Sequence, residues 1–253
     1  MSDDAFDRVL RRDWPSLGLQ VPIRFPALSL VAAVFTAATR EAARLLPAGA
    51  GRLVEVMPGR CLVSLAAVEY RDSELGPYNE LAVTLPVSLG RAPLPAALGA
   101  LGELFTRSGT AYVLSMPVTT PRSVEVGVGL AGFPKFLAEV RFRREASRVA
   151  CEVEHEGRRT LTLTAEAGDT PGRRRLKMRA VTILQGVPQV STFLLEERRW
   201  RDSLQRNTAR LELDAGPLAE TLRGLRLSPR PLATHCASEA RGMLFPPRHL
   251  DDD

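Results

Sequence analysis

The stretch Gly132-Phe133-Pro134-Lys135-Phe136-Leu137 sets an amine between two phenylalanines, in a chain that writes nearly all its positive charge as arginine. Of 34 Lys+Arg residues, only Lys135 and Lys177 are lysines. A guanidinium stays protonated in proteins, whereas an ammonium can release its proton and become a nucleophile. In water, at a pKa near 10.4, only about one lysine in 2,500 is a free amine at pH 7. Burial against apolar groups disfavours the ammonium, and lowering the pKa by about four units requires about 5 kcal/mol of differential solvation. Phe133 and Phe136 could supply such surroundings. The chemistry they would support is attack on a carbonyl to form a Schiff base. The plainer reading of the same residues is a solvated lysine at the start of a strand.

Other chemistries find less support. The three histidines, His155, His235 and His249, do not cluster in sequence, and Cys61, Cys151 and Cys236 show no paired spacing. The cysteines read as buried apolar residues of a reducing compartment, and neither a metal site nor another cofactor is expected. The formal net charge is +5, but the basic residues lie among 29 acidic ones, as in Arg143-Arg144-Glu145 and Glu196-Glu197-Arg198-Arg199. Without aromatic interleaving or finger spacing, that pattern is a solvated face, so no nucleic-acid partner is expected. The run Ala27 to Thr36 is apolar but too short to span a membrane, and no secretory leader is visible, which points to the cytoplasm.

The elements that must position Lys135 are mainly strands. Phe136, Ala138, Val140 and Phe142 alternate with Glu139, Arg141 and Arg143. Runs around Val149–Val153 and Leu161–Leu163 follow with the same period of two, separated by turn residues, and predict an antiparallel meander. Arg52 to Met57 and Cys61 to Tyr70 flank Pro58-Gly59 as a hairpin, and Glu80 to Leu89 continues the pattern. Leu176 to Leu184, Gln189 to Glu197 and Ala209 to Leu213 predict further strands. Short helices are expected at Thr39 to Leu46, Ala96 to Phe105, Pro121 to Leu130 and Pro217 to Leu225. The expectation is a single α+β domain over residues 1–253, with loose ends near 1–5 and 249–253. Its sheet is large and mostly antiparallel, closing into a barrel with a few flanking helices. Lys135 shares strand parity with Leu137 and Glu139, opposite to Phe136.

Gly132-Phe133-Pro134-Lys135 after an apolar helix resembles the Schiff-base lysine motif of the acetoacetate decarboxylase family, an enzyme whose activated lysine is a known example. Upstream, Gly76-Pro77-Tyr78-Asn79-Glu80 and the strand after it resemble that family's Gly-x-Tyr-x-Glu element. Leu45-Leu46-Pro47, Leu176-Lys177 and Thr208-Ala209-Arg210-Leu211 fall in register with it, so the similarity runs over most of the chain. The resemblance implies Lys135 as nucleophile and Glu80 as the pocket acid that binds substrate or relays a proton. It also implies a homo-oligomer acting on a keto acid or ketone.

The sequence departs from the family where Phe136 replaces a second lysine and where Gly127-Val128-Gly129 stands for Gly-Arg-Glu. A second acid falls near Leu65, and the family's pocket arginine falls on Leu28, or on Arg24 after a shift. The expected pocket, with Phe133, Phe136, Tyr78 and Arg24 around the pair, is therefore more apolar than that of the decarboxylase. This suits a larger or less charged substrate, through decarboxylation or through aldol or dehydration chemistry by way of an enamine. The alternative is a non-catalytic binder of a small hydrophobic molecule on the same fold.

Overall fold

The computed structural model describes residue 6 and residues 9–89, 108–145, 147–168 and 170–250. The helix expected at Ala96 to Phe105 lies outside these residues, as do residues 1–5 and 251–253. In chain order the strands begin with β1 (Arg12–Trp14), β2 (Leu19–Val21), β3 (Ile23–Ala38), β4 (Arg52–Leu53), β5 (Glu55–Met57) and β6 (Arg60–Asp72). Then come β7 (Tyr78–Ser88), β8 (Ser108–Val118), β9 (Lys135–Leu137), β10 (Glu139–Glu145), β11 (Arg148–His155) and β12 (Arg158–Glu166). The last are β13 (Thr170–Leu184), β14 (Val187–Ser203), β15 (Ala209–Leu213), β16 (Ala233–Leu244) and β17 (Arg248–His249). The helices are α1 (Thr39–Ala43), α2 (Pro121–Ala131) and α3 (Pro217–Gly224).

Seven strands close a barrel in the order β7-β6-β3-β16-β14-β13-β8, with β8 returning to β7. Within the ring only the β8–β13 contact is parallel. A second sheet, β10-β11-β12-β15, covers one side of the barrel. The expected meander is its first three strands.

Covering the barrel gives its strands two apolar faces. On β6, Val63, Leu65 and Ala67 pack outward against Val140, Val153 and Leu163 of the second sheet. Ser64, Ala66, Val68 and Tyr70 alternate with them and face the barrel interior. β3 is buried on both sides from Leu28 to Ala37, so apart from Ser29 and Thr36 its sequence there is apolar, with no alternation. That is the segment measured above only as a possible membrane span; no helix of the described residues is long and apolar enough to cross a membrane. β8 and β16 were also not foreseen. In β16 the register shifts at Ala237/Ala240 and Ala240/Gly242 break the period of two.

The single strand expected from Phe136 to Phe142 is corrected to two. β9 stays on the barrel, parallel to β8, and β10 joins the second sheet. The chain changes sheets at Ala138, whose N–H still reaches Val118 O at 2.9 Å. At the far end, Arg248 and His249 pair with β14.

α2 delivers the chain to β9 through Gly132, which is left-handed at φ 65°. A Cβ there would run into the Ile183 carbonyl of β13. Gly132→Ala combines left-handed strain with a backbone clash and is expected to remove about 2–4 kcal/mol of stability, read by denaturant unfolding.

Candidate active site

Lys135 opens β9, and its direction is fixed from both sides. Upstream, Thr120 caps α2 by accepting the Ser123 N–H at 3.3 Å, and the helix ends as Phe133 N–H returns to Gly127 O at 3.1 Å. Pro134 has no N–H to donate, but its carbonyl takes the Met116 N–H at 3.1 Å, docking the chain on β8. Lys135 then lies opposite Met116, and Glu80 of β7 lies opposite Val118. Met116 and Val118 share one face of β8, so strand β8 brings together two side chains 55 residues apart.

Lys135 Nζ stands 2.7 Å from Glu80 Oε2, and each of these side chains is only 7% exposed. The amine lies 5.3 Å from the Tyr78 ring centre and 5.9 Å from that of Phe133, close enough for both rings to favour a cation. The other oxygen, Glu80 Oε1, accepts a long 3.5 Å hydrogen bond from the Tyr70 hydroxyl. Tyr70 and Tyr78 stack with centroids 4.5 Å apart. Burial, followed by the nearby charge of Glu80, pushes both phenols well above their ordinary range. Both therefore remain neutral donors. Gly127 makes room for the lysine: a Cβ there would meet Lys135 Cδ at 2.5 Å and Cε at 2.7 Å.

The pair opens into a cavity of about 250 Å³ inside the barrel. Of the expected site residues, Lys135, Glu80, Tyr78 and Phe133 all line it. Phe136 and Arg24 do not, and alternation is the reason in both cases. Phe136 follows Lys135 and turns to the opposite face, edge-on to His155 at 5.0 Å. Arg24 precedes Phe25, which occupies the cavity wall, and is half-buried outside it, its N–H bound to Glu74 Oε2 at 3.0 Å. Leu28 lines the cavity in its place, whereas Leu65 faces the second sheet. Tyr70 was not singled out from sequence; its place two residues beyond Val68 on the inward face of β6 was the available signal.

The cavity wall also carries a charged group that the sequence did not disclose. Arg174 donates to Glu197 Oε2 at 2.7 Å and to Asp202 Oδ2 at 2.5 Å. The His235 ring nitrogens sit 2.6 Å from Glu197 Oε1 and 2.6 Å from Asp202 Oδ1. Burial alone would lower the His235 pKa, but the two carboxylates outweigh it and raise it. Burial alone would raise Asp202, but His235 and Arg174 hold it down at about 2. The densest basic run, Arg173-Arg174-Arg175, is thus engaged within the fold, since Arg173 and Arg175 both bind Glu196. Among the described residues, no group of three or more His, Cys, Asp or Glu is placed to hold a metal ion.

A sequence model of the family described as acetoacetate decarboxylase matches residues 14–223. The chain belongs to the acetoacetate decarboxylase family. It is a divergent member, and no curated protein matches it. Among solved structures, an acetoacetate decarboxylase is 16% identical with a TM-score of 0.60, covering 98% of each chain. The acetoacetate decarboxylase of Legionella pneumophila subsp. pneumophila str. Philadelphia 1 is 15% identical with a TM-score of 0.62, over 90% of this chain and 86% of its own. The enduracididine biosynthesis enzyme MppR, complexed with the condensation product of pyruvate and imidazole 4-carboxaldehyde, is 14% identical with a TM-score of 0.60. That match covers 92% of this chain and 90% of the other. At these identities the likeness is one of fold.

Two outcomes are expected from this geometry. Gly127→Ala displaces the Lys135 stem, so a lysine-directed reagent should modify Lys135 at a changed rate while Lys177, which is exposed, reacts as before. The second concerns pH. His235, raised in the fold, stabilises it fully below its unfolded value near 6.5, and that contribution fades as pH rises through the folded value. Asp202, lowered from 3.8 to about 2, contributes above the unfolded value and loses its contribution as pH falls toward 2. Denaturant titrations across pH should show losses on both sides, and His235→Gln should remove the alkaline one.

Proposed function

We propose that this protein is a Schiff-base-forming lyase that takes a keto acid or ketone on Lys135, with Glu80 as its proton shuttle. The observation that carries the reading is the Lys135 amine itself, 7% exposed, 2.7 Å from one carboxylate and open to a cavity inside the barrel. An exposed lysine has no reason to be held this way, and burying a charge demands a partner.

Charge and proton counts suit the pair. Glu80 takes one proton from the ammonium, leaving a neutral amine that attacks the carbonyl carbon. The proton returns to the carbinolamine oxygen, and a second N–H proton follows as water departs. The ammonium's three hydrogens end as one on the iminium nitrogen and two in water. The positive charge never leaves the site, and Glu80 balances it before and after. Loss of CO₂, or transfer of an α-proton to Glu80, then gives the neutral enamine. Tyr70 holds Glu80 Oε1 and leaves Oε2 toward the lysine. The family's chemistry also supports the reading: MppR, on this fold, binds the condensation product of a keto acid and an aldehyde. The chain is taken as one domain over residues 1–253, a homo-oligomer of the cytoplasm, with no cofactor.

Borohydride trapping tests this. The protein is incubated with keto acids and ketones, reduced, and mapped by peptide mass spectrometry. An adduct is expected on Lys135, none on Lys177, and none anywhere in Lys135→Arg. Glu80→Gln should slow trapping by about 100-fold or more, and Tyr70→Phe by a smaller factor. If no carbonyl compound is trapped at any pH up to about 9, the lyase reading falls and small-molecule binding stands in its place.

A further inference from the structure

The charges around the cavity narrow the substrate further than the lysine does. We infer that the carbonyl compound taken by Lys135 is a neutral ketone or aldehyde with an apolar tail, not a keto acid. This rests on the Schiff-base reading above.

The first observation concerns cations. Among the described lining residues the positive or protonatable groups are Lys135, Arg174, Arg179 and His235, and three of them, Lys135, Arg174 and His235, are held by carboxylates. Lys135 is held by Glu80, and Arg174 by Glu197 and Asp202. His235 uses both ring nitrogens on the same two acids, and Arg179 Nε donates to Thr110 Oγ1 at 2.9 Å. Arg179 pairs with Thr110, six residues along β8 from the Met116 that faces Lys135, about 20 Å away, so a carboxylate on a substrate held at Lys135 would find within reach no cation without an acid partner.

The second concerns position. The substrate's carbonyl carbon becomes bonded to Nζ, 2.7 Å from Glu80 Oε2. A carboxylate on the adjacent or next carbon would lie beside that acid, between the rings of Tyr78 and Phe133, where like charges are poorly screened. The site is neutral as an ammonium–carboxylate pair and neutral again as an iminium–carboxylate pair. A ketone preserves that balance, and a keto acid adds one uncompensated negative charge.

The third explains the tail. Ala82 on β7, Ala66 on β6 and Ala32 on β3 stand abreast across three neighbouring strands. Ala82 lies two residues beyond Glu80 on the same face of β7, so the room these small side chains leave begins beside the acid. Leu28, Leu30, Val68 and Phe193 bound it with apolar surface. A hydrocarbon chain leaving the carbonyl fits over this alanine row.

The test uses the wild-type protein and a series of methyl ketones from propanone to decanone, each paired with the α-keto acid of equal length and, from pentanone upward, with the γ-keto acid as well. Binding is read by calorimetry and imine formation by borohydride trapping. Ketone affinity should rise about fourfold per methylene until the cavity is full, and the matched keto acids should bind at least about tenfold more weakly. Ala66→Leu, which blocks the row, should reverse the order and favour propanone over octanone. Keto acids that bind or trap as well as the ketones overturn the inference, as does ketone binding that ignores chain length. Length-dependent ketone binding with no trapped adduct would instead sink the Schiff-base reading while leaving the ligand class in place. The wild-type series decides the matter even if Ala66→Leu does not fold.

Discussion

A lysine and a glutamate 2.7 Å apart inside an apolar barrel set the terms for everything around them. Separately, either charge in that interior would be strongly disfavoured; together they form a neutral unit whose remaining hydrogen-bonding capacity must still be met. The fold meets it with neutral groups. Two aromatic faces flank the ammonium, and a phenol reaches the second carboxylate oxygen. A second charged group on the wall, Arg174 with Glu197, His235 and Asp202, is likewise closed on itself. The interior thus holds strong local dipoles and little uncompensated charge, a setting in which a proton can move between neighbours without leaving a bare ion behind.

The architecture that permits this is a barrel with one side covered. Because β10, β11, β12 and β15 pack on its outer face, strands such as β6 can send every second residue to a dry core and the rest to the cavity. The core on the outer face holds these strands from behind, which leaves the inner face room to use alanine at some positions where leucine would pack. The cavity is therefore a consequence of small residues on strands held rigid from behind.

Much of this was written in the sequence, in the places where one face of a strand is wet. β10, β11 and β12 alternate because solvent lies on one side, and all three were legible, although β10 was joined to β9 as one strand. β3 was not, because two buried faces erase the period of two, and β16 was hidden by its bulges. The pair Lys135 and Glu80 was carried by motif resemblance rather than by pattern, since nothing local to Glu80 says that residue 135 will be its neighbour. The two misplaced pocket residues, Phe136 and Arg24, fail for one reason. Successive side chains on a strand point to opposite faces, so Phe136 beside Lys135 and Arg24 beside Phe25 are turned away from the cavity their neighbours line. The parity noted for Lys135 against Phe136 already contained that answer.

The parallel contact between β9 and β8 gives this parity a wider meaning. β9 has three residues, and its seat on β8 is defined by the pairings of Met116, Pro117 and Val118. Nothing in the composition of Gly132-Phe133-Pro134-Lys135-Phe136 distinguishes this buried amine from an ordinary surface one; the distinction lies in phase. One residue inserted after Pro134 would hand the interior to a different side chain and turn the amine toward His155. Which side chain meets Glu80 is therefore stored as a reading frame between two strands, and a single residue gained or lost in that short connection would change it without altering any side chain.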